Sequence, residues 1–318
     1  MTPTDARPLG SSPGDPCRGR GGRGRLLVLA ALALAACGPE PRPGYAPEYV
    51  ARPAPQAREP AVYRFAVHPL HNPQRLAAVY GPIVAYLNRH LGGPTLRLEA
   101  SRSYEAFEAE LYGRGYQLAL PNPVQALRSL GSGYRIFGKM GGDEQFRGII
   151  LVRRDSGLQR VEQLKGMVVA FPAPTALAAT MLPLWYLHTH GLDANRELRR
   201  LYTGSQESSI MSVYLGQAAA AATWPVPWET FSRRRPEVAA ALEVRWETGA
   251  LMNNALVARD DVPPELVARV GALLFALHET PEGARLLAEV PIPRFEPATA
   301  ETYAPVRAFL DTYQRSIR

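Results

Sequence analysis

The 318-residue chain carries a formal net charge of +7, from 36 Lys and Arg against 29 Asp and Glu. Residues 1–36 hold five arginines and two aspartates, a net of +3, which leaves about +4 spread over the rest without a basic block. Because nucleic-acid binding relies on clustered positive charge, this pattern argues against a nucleic-acid partner.

The first segment has the order of an export signal. Arginines precede an apolar run at residues 26–36, and small residues lead into Cys37. The run is about half of the ~20 residues that span a bilayer, so we expect it to be removed rather than kept as an anchor. The segment "LAAC", residues 34–37, resembles a bacterial lipobox, which implies that residues 1–36 are a lipoprotein signal peptide and that Cys37 receives the lipid. Cys17 then leaves with the signal, so no cysteine pair remains for a disulfide.

A proline-rich stretch without apolar periodicity follows the cysteine. This composition favours an extended tether, so residues 37–60 are predicted to join the lipid to a folded body. The remaining stretch of about 258 residues can bury a large core, and its size suits two lobes. With Gly38 after the cysteine, we expect a periplasm-facing protein anchored to the outer rather than the inner membrane of a Gram-negative cell.

Strand-like and helix-like segments alternate from residue 62 onward. The first predicted helix has apolar residues at three- to four-residue spacing from Leu76 to Leu87, and Pro82 is predicted to kink or restart it. The alternation predicts an α/β fold with mostly parallel sheets. The predicted strands are "VYRFAVHP", "TLRLEA", "YQLALP", "GIILVRR", "MVVAF", "LEVRWE" and "NALVAR". Helices are predicted at "YEAFEAEL", "PVQALRSL", "SSIMSVYLG", around residues 161–165 and near Pro263, Pro281 and Thr302.

Ligands of such folds bind at the loops beyond the carboxyl ends of the strands. One of these loops lies in "AFPAPTALAATMLP", residues 170–183, where a strand runs through a Pro-rich turn into a helix. The first N–H groups of a helix are unpaired and attract anions. Within the turn only Thr175 offers a hydroxyl, and alanines and Leu177 follow it. The sequence therefore predicts a cleft wall that is largely apolar.

Four segments together resemble the substrate-binding proteins of ABC transporters of the phosphate, phosphite and phosphonate type. They are "RFAVHPLHNPQRLAAVYGPIVAYLNRHLG", "GIILVRRDSGLQRVEQLKG", "YTGSQESS" and "RDDVPPELVARVGALLFALHETPEGARLL". The resemblance covers roughly residues 62–310 and implies a two-lobed type II periplasmic-binding-protein fold. Lobe one would take residues 62–148 plus 253–318 and lobe two residues 149–252, with a ligand cleft between them. The resemblance also implies a monomeric binding protein without a cofactor, which delivers a small-molecule solute to an ABC transporter permease.

Several ligand-holding residues of the family are replaced here. Aligned on Pro183, the Ser-Thr-Ser-Gly run that holds the oxyanion in phosphonate-binding relatives becomes Ala-Leu-Ala-Ala at residues 176–179. The family's Thr-Gly-Ser-His segment ends in Gln206, and its Val-Asp-Ala-Gly segment becomes four alanines at residues 218–221. Each lost hydrogen bond to a charged oxygen costs about 1.5–3 kcal/mol, so several losses remove decades of affinity. We therefore expect a small polar or anionic organic solute rather than an ordinary phosphonate.

The loop positions and the resemblance together predict nine ligand-binding residues. Alternatives stay open for several of them: Asn122 as a turn residue that bonds its own backbone, and Ser208 as part of a helix cap formed by Ser205. Trp224 could pack a lobe together with Trp228, Tyr104 is expected to be partly exposed, and His68 could lie in a solvated turn. The nine residues are His68, Tyr104, Asn122, Thr175, Ala176, Gln206, Glu207, Ser208 and Trp224.

Two other functions remain open at this stage. One is a ligand-sensing lipoprotein that feeds a membrane signalling receptor, and the other is an enzyme on the same scaffold. The chain offers no nucleophile beside a base, so we expect no enzyme. His188 and His190 lie two residues apart near a helix end and point in different directions, so we expect no metal site.

Overall fold

The computed structural model describes residues 61–317, which form two β-sheets covered by helices. We call each sheet with its helices a lobe. The strands are β1 Val62–Val67, β2 Thr95–Ala100, β3 Leu118–Leu120, β4 Tyr134–Met140, β5 Arg147–Arg153, β6 Val168–Phe171, β7 Arg199–Tyr202, β8 Ala220–Thr223, β9 Leu242–Ala250, β10 Ala255–Arg259 and β11 Phe295–Glu296. The α-helices are α1 Pro73–Leu91, α2 Tyr104–Tyr112, α3 Pro123–Ser129, α4 Leu182–Thr189, α5 Gln206–Tyr214, α6 Pro225–Arg234, α7 Pro236–Ala241, α8 Pro264–Phe275, α9 Pro281–Glu289 and α10 Ala304–Ser316.

The first lobe is built on a six-stranded sheet in the order β11-β4-β10-β3-β1-β2. Strand β1 is exposed at its beginning and buried at its end, so the chain enters the core along it. The loop that follows β1 therefore lies at the end of the sheet. The apolar face of α1 packs into this core through Leu76, Tyr80 and Leu87. Helices α8 and α9 add their apolar faces to the same cluster.

The second lobe has a five-stranded sheet in the order β7-β6-β8-β5-β9. Its strand β8 consists of three alanines and Thr223, all buried, and such small side chains let α5 pack closely on the sheet. Glycine at position 148 in β5 also allows close packing, in this case of the turn that follows β6. A Cβ on Gly148 would lie 2.6 Å from the carbonyl oxygen of Ala178 and 2.7 Å from the Pro183 ring. Glycine therefore allows the turn after β6 to lie directly on β5.

The predicted strands and the α/β class are confirmed, but the expectation of mostly parallel sheets is wrong. Among residues 61–317, four of the nine strand pairings are parallel and five are antiparallel. Four of the antiparallel pairings involve β10 or β5, which follow β9 and β4 after short connections across the lobes, and the fifth joins β11 to β4. Because these connections contain no crossover helix, each crossing strand enters its new sheet against the direction of the βαβ strands.

Helix α1 runs unbroken from Pro73 to Leu91, so Pro82 does not restart it. Pro82 lies on the exposed face of the helix, where water can bond the carbonyl that proline leaves without a donor. Within residues 61–317, no helix has the length and apolar character needed to cross a membrane.

Candidate ligand site

The loops after β1, β3, β6 and β8 meet between the two sheets and enclose a small cavity of about 10 Å³. We call this space the cleft cavity. A larger apolar groove of about 330 Å³ lies between α4, β9 and α10, and none of the nine predicted ligand-binding residues lines it. The residues that line the cleft cavity are His68, Tyr104, Asn122, Phe146, Ala176, Leu177, Ala178, Ala179, Gln206, Trp224 and Asn254.

Six of the nine predicted residues therefore line the same cavity, although they come from six separate segments, those after β1, β2, β3, β6, β7 and β8. Thr175, Glu207 and Ser208 do not line the cleft cavity. Thr175 Oγ1 donates instead to Glu108 Oε1 at 2.5 Å, and Glu207 Oε2 accepts from Asn72 Nδ2 at 3.1 Å. Both bonds connect the first lobe to the second, so these two residues lie on the rim of the cleft. Contact of any of the nine residues with a solute stays a prediction.

His68 follows directly after β1 and is buried rather than solvated, so the solvated-turn alternative is wrong. Its Nδ1 lies 3.0 Å from the carbonyl oxygen of Leu120, to which its backbone N–H also donates at 3.1 Å. Burial lowers the pKa of His68 to about 4, although the bond to Leu120 opposes that shift. The ring is therefore neutral at pH 7, and it lies edge-on to Tyr104 with ring centroids 6.1 Å apart.

Tyr104 begins α2 and is 3% exposed, so the expectation of partial exposure is wrong. Ser103 caps the helix and accepts from the backbone N–H of Ala106 at 3.1 Å, which directs the first turn of α2 toward the cavity. Burial raises the pKa of Tyr104 well above its ordinary value, and an interaction with the Gln206 side chain opposes that shift. Tyr104 is therefore a neutral phenol that faces the cleft cavity.

Gln206 occupies the first position of α5 and is buried. Its Oε1 accepts from Thr223 Oγ1 at 2.8 Å, so its amide N–H groups are left to face Tyr104. Ser205 is the N-cap of this helix and accepts from the backbone N–H of Ser208 at 3.1 Å. The capping interpretation of Ser205 and Ser208 is confirmed, and Ser208 itself is exposed.

Asn122 is the N-cap of α3. Its Oδ1 accepts from the backbone N–H groups of Val124 and Gln125 at 3.0 and 3.1 Å, as the turn-residue alternative predicts. Its Nδ2 donates to the carbonyl oxygen of Thr175 at 3.0 Å. Both polar atoms of the side chain are thus already bonded, one within its own lobe and one across the cleft.

On the second lobe, the turn after β6 forms a wall of the cleft cavity. It continues into a π-helical turn, Leu177–Met181, which runs without a break into α4. The backbone N–H groups of Leu177, Ala178 and Ala179 have no acceptor within residues 61–317. The side chains of these residues are apolar and buried, and they pack in a cluster that includes residues of both lobes. The predicted apolar wall is confirmed.

The sequence interpretation missed two residues that line the cavity, Phe146 and Asn254. Phe146 precedes β5 and packs edge-on against Trp224, with ring centroids 5.3 Å apart. Asn254 is 0% exposed, its Nδ2 lies 3.4 Å from Met140 Sδ, and its Oδ1 has no hydrogen-bond partner. A pair of asparagines directly before a buried strand was the available signal for Asn254.

Trp224, Trp228 and His190 each pack against other side chains. Trp224 both lines the cavity and packs in the interlobe core, whereas Trp228 packs beside Phe231 in the second lobe, with ring centroids 6.4 Å apart. His190 stacks on Tyr186, with ring centroids 3.9 Å apart. Within residues 61–317, no three His, Cys, Asp or Glu side chains are grouped as metal ligands would be.

Two α/β lobes that are joined by crossing strands and enclose a polar-lined cavity at their loop ends define a type II periplasmic binding protein. The sequence profile of the periplasmic substrate-binding proteins of phosphonate ABC transporters matches residues 65–303. The chain belongs to this family.

Solved structures share the fold at low sequence identity. A binding protein component of an ABC phosphonate transporter from Pseudomonas aeruginosa is 18% identical with a TM-score of 0.75, and the match covers 81% of this chain and 88% of that one. PhnD1 from Prochlorococcus marinus, solved with methylphosphonate, is 16% identical with a TM-score of 0.74, covering 80% and 99%. The alkanesulfonate-binding protein SsuA from Xanthomonas axonopodis, bound to MOPS, is 17% identical with a TM-score of 0.56, covering 82% and 94%. A search of curated protein sequences finds no match.

Proposed function

We propose that this protein is a lipid-anchored extracytoplasmic binding protein that captures a small polar organic solute for an ABC transporter, and that its preference has moved away from simple phosphonates. The observation that carries the proposal is the lining of the cleft cavity. Among its eleven residues none is charged, and the turn at residues 176–179 offers no hydroxyl. A doubly charged oxyanion would lose its hydration there without gaining a cationic partner.

The size of the cavity supports the same conclusion. A space of about 10 Å³ is close to the minimum that holds one water molecule. Leu177 and Trp224 line the cleft cavity, and they belong to a core that includes side chains of both lobes. A solute therefore enters when the lobes move apart, and the closed form accommodates no more than one small polar group of it.

The lobe boundaries and hinges are part of the proposal. We assign residues 62–148 plus 253–318 to lobe one and residues 149–252 to lobe two. The chain crosses between the sheets twice, once between β4 and β5 and once between β9 and β10, and both connections are short. Two short crossings let two lobes rotate as rigid bodies about a shared hinge.

The lipid anchor rests on the sequence alone, because Cys37 and residues 1–36 lie outside the described residues. An apolar run followed by the "LAAC" segment supports acylation at Cys37, and the proline-rich tether supports a body held away from the membrane. We propose an ABC permease as partner, a monomeric state and no enzymatic activity, in keeping with the family. Sorting to the outer membrane is part of the same proposal.

Titration calorimetry with the purified protein tests the altered preference. We expect phosphate and methylphosphonate to bind no tighter than about 1 mM, which corresponds to roughly 4 kcal/mol. Thermal-shift screening of polar organic solutes should then find a better ligand, whose affinity falls in a Trp224→Ala variant and stays unchanged in a His190→Ala variant. Micromolar binding of methylphosphonate would contradict the proposal and restore a phosphonate as the solute.

A further inference from the structure

The first-lobe side of the cleft cavity presents a hydrogen-bond acceptor at His68. The carbonyl oxygen of Leu120 can only accept, so the bond of 3.0 Å to His68 Nδ1 requires the proton to be on Nδ1. Since the ring is neutral, Nε2 carries a lone pair and no proton. Nε2 can therefore receive a hydrogen bond and cannot give one.

Asn254 provides a second acceptor on the same side. The residue is fully buried at the start of β10, held through its backbone N–H by Asn253 Oδ1 at 2.8 Å and through its Nδ2 by Met140 Sδ. Its Oδ1 is buried without a hydrogen-bond partner within residues 61–317, and the residue is one of those that line the cavity. Burial of a carbonyl oxygen without a donor is unfavourable, so a group that supplies an N–H or O–H is favoured here.

The second-lobe side has the opposite character. The unpaired backbone N–H groups of Leu177, Ala178 and Ala179 begin the helical segment that continues through α4. These groups can only donate, and a helix start carries partial positive charge. The first lobe thus presents acceptors at His68 and Asn254 beside the Tyr104 hydroxyl, which can donate or accept, and the second lobe presents backbone donors, without a formal charge on either.

We propose that the group of the solute that enters this cavity is an uncharged carboxamide or urea group, whose N–H donates to His68 Nε2 and Asn254 Oδ1 and whose C=O accepts from the N–H groups of residues 177–179. This inference rests on the proposed function of the cleft and narrows its solute class. A carboxylate or a fully deprotonated phosphonate has no proton to donate to the first lobe. An ammonium group has no acceptor for the second lobe.

Matched small probes separate these chemistries. Acetate is similar to acetamide in size, and N,N-dimethylacetamide is larger by two methyl groups; among the three, acetamide alone has both an N–H and a carbonyl oxygen. In ligand-observed NMR titrations of the purified protein, we expect acetamide to bind at least tenfold more tightly than either of the others. Equal or tighter binding of dimethylacetamide or acetate, or no saturable binding of acetamide, would overturn the inference. Micromolar binding of methylphosphonate in the same series would instead contradict the proposed change of preference itself.

Substitutions of the cavity residues test whether acetamide binds in the cavity. Asn254→Leu removes the unpaired oxygen and should weaken acetamide binding at least fivefold, whereas Asn254→Asp keeps an acceptor and should retain binding. His68→Phe should also weaken binding, and His278→Phe, at an exposed histidine remote from the cavity, is its matched control. Acetamide binding that neither Asn254→Leu nor His68→Phe weakens would overturn the assignment.

The tautomer of His68 gives a readout that does not depend on any probe. Nitrogen-15 NMR of the ring should show a protonated Nδ1 and an unprotonated Nε2 at pH 7. This measurement keeps the inference testable if a buried substitution prevents folding. A proton on Nε2, or a doubly protonated ring, would overturn it, since the acceptor on the first lobe would then be absent.

Discussion

Asn72 Nδ2 donates to Glu207 Oε2 at 3.1 Å, and the bond joins the N-cap of α1 in the first lobe to the first turn of α5 in the second. Arg234 lies 3.7 Å from the other Glu207 oxygen and holds the carboxylate in place. Together with the bond from Thr175 to Glu108, this contact closes the rim above the cleft cavity. The lobes therefore have direct bonds to each other that do not involve a solute.

Replacing Glu207 with Ala should shift the protein toward an open form. A hydrogen bond to a charged group contributes about 1.5–3 kcal/mol, and partial exposure of Glu207 reduces this to roughly 1 kcal/mol, or about a fivefold change in the open population. Small-angle scattering or a distance measured between labels on the two lobes should record the change. Glu237→Ala is the control, because within residues 61–317 the ion pair of Glu237 is with Arg235 in its own lobe. An unchanged distance distribution in Glu207→Ala would show that the rim contact does not hold the lobes.

Two buried histidines at the cleft should make stability depend on pH. Burial lowers the pKa of His68 to about 4, and burial with the nearby charges of Arg75 and Arg234 lowers that of His71 to about 4. The unfolded chain protonates its histidines near their ordinary pKa of 6.5, so their full contribution to stability exists above that pH and is lost as the pH falls toward 4. Each histidine accounts for up to about 3 kcal/mol of this loss.

Urea unfolding at a series of pH values from 7 to 4 measures the effect. His68→Gln keeps a donor for the Leu120 carbonyl but does not titrate, so its stability should fall less steeply than that of the wild type. His278→Gln, at an exposed position, should leave the pH profile unchanged. Parallel profiles of wild type and His68→Gln would mean that His68 titrates normally in the folded protein.

The sequence predicted the strands well where short runs of β-branched or apolar residues end at Pro or Gly, as in β1, β5 and β6. It did not predict β4, since Arg135 and Lys139 interrupt the apolar pattern. Lys139 is nevertheless 4% exposed, because two carboxylates neutralise it inside the lobe. Local patterns record burial of apolar groups, and they miss a strand whose buried residue is charged and paired.

The candidate site was predictable where the family's motifs fix a loop, as for Tyr104 and Gln206. It was not predictable where a residue reaches the cavity only because the lobes close, as for Phe146, or because its side chain lacks a partner, as for Asn254. The roles of Thr175 and Glu207 on the rim depend on partners more than 60 residues away in sequence, Glu108 and Asn72. No local pattern contains those pairings.

Lys139 should be a strong determinant of the stability of the first lobe. Its Nζ lies 2.8 Å from Asp143 Oδ1 and 2.5 Å from Glu296 Oε1. Burial alone would raise the pKa of Glu296, but the Lys139 ammonium brings it below its ordinary value. Lys139→Met leaves both carboxylates without their cation and should reduce the free energy of unfolding by about 3 kcal/mol at pH 7, the lower end for a broken buried pair because the carboxylates are partly exposed.

The loss in Lys139→Met should shrink as the pH falls through the carboxyl range, because a carboxylate whose pKa is lowered by folding contributes its stability only above the unfolded value. Urea midpoints at pH 7 and pH 4 give the comparison. Lys165→Met is the control, since its partner Glu197 is bound at the surface and the pair should matter little. Equal destabilisation by both substitutions would contradict the importance of burial at Lys139.

Replacing Cys37 with Ser should release the protein from membranes, because an acyl chain at that residue is the proposed anchor. Fractionation of cells that express the wild type and the variant measures the distribution. Cys17→Ser, within the proposed signal peptide, is the matched control and should leave the protein membrane-bound. A Cys37→Ser protein that stays in the membrane fraction as fully as the wild type would contradict the lipoprotein assignment.

Restoring the polar turn should restore oxyanion binding. The combined variant Ala176→Ser, Leu177→Thr, Ala178→Ser and Ala179→Gly recreates the Ser-Thr-Ser-Gly run of phosphonate-binding relatives on the same backbone. Its hydroxyls would join the unpaired N–H groups already present at residues 177–179, and loss of the Leu177 side chain would enlarge the cleft cavity. Two new hydrogen bonds to a charged oxygen, at about 1.5 kcal/mol each, amount to roughly a hundredfold gain in affinity for methylphosphonate.

Calorimetry distinguishes the contribution of the hydroxyls from that of the added space. Leu177→Ala alone enlarges the cavity without a hydroxyl and should improve methylphosphonate binding little, since an apolar wall still cannot replace the water around the anion. If Leu177→Ala gains as much as the fourfold variant, then the volume of the leucine and not the missing hydroxyls excludes the phosphonate. If neither variant gains, the turn does not set the preference. Gln206 and Ala219 would then be the residues that exclude the anion, because they replace the family's histidine and carboxylate on other segments of the same lobe.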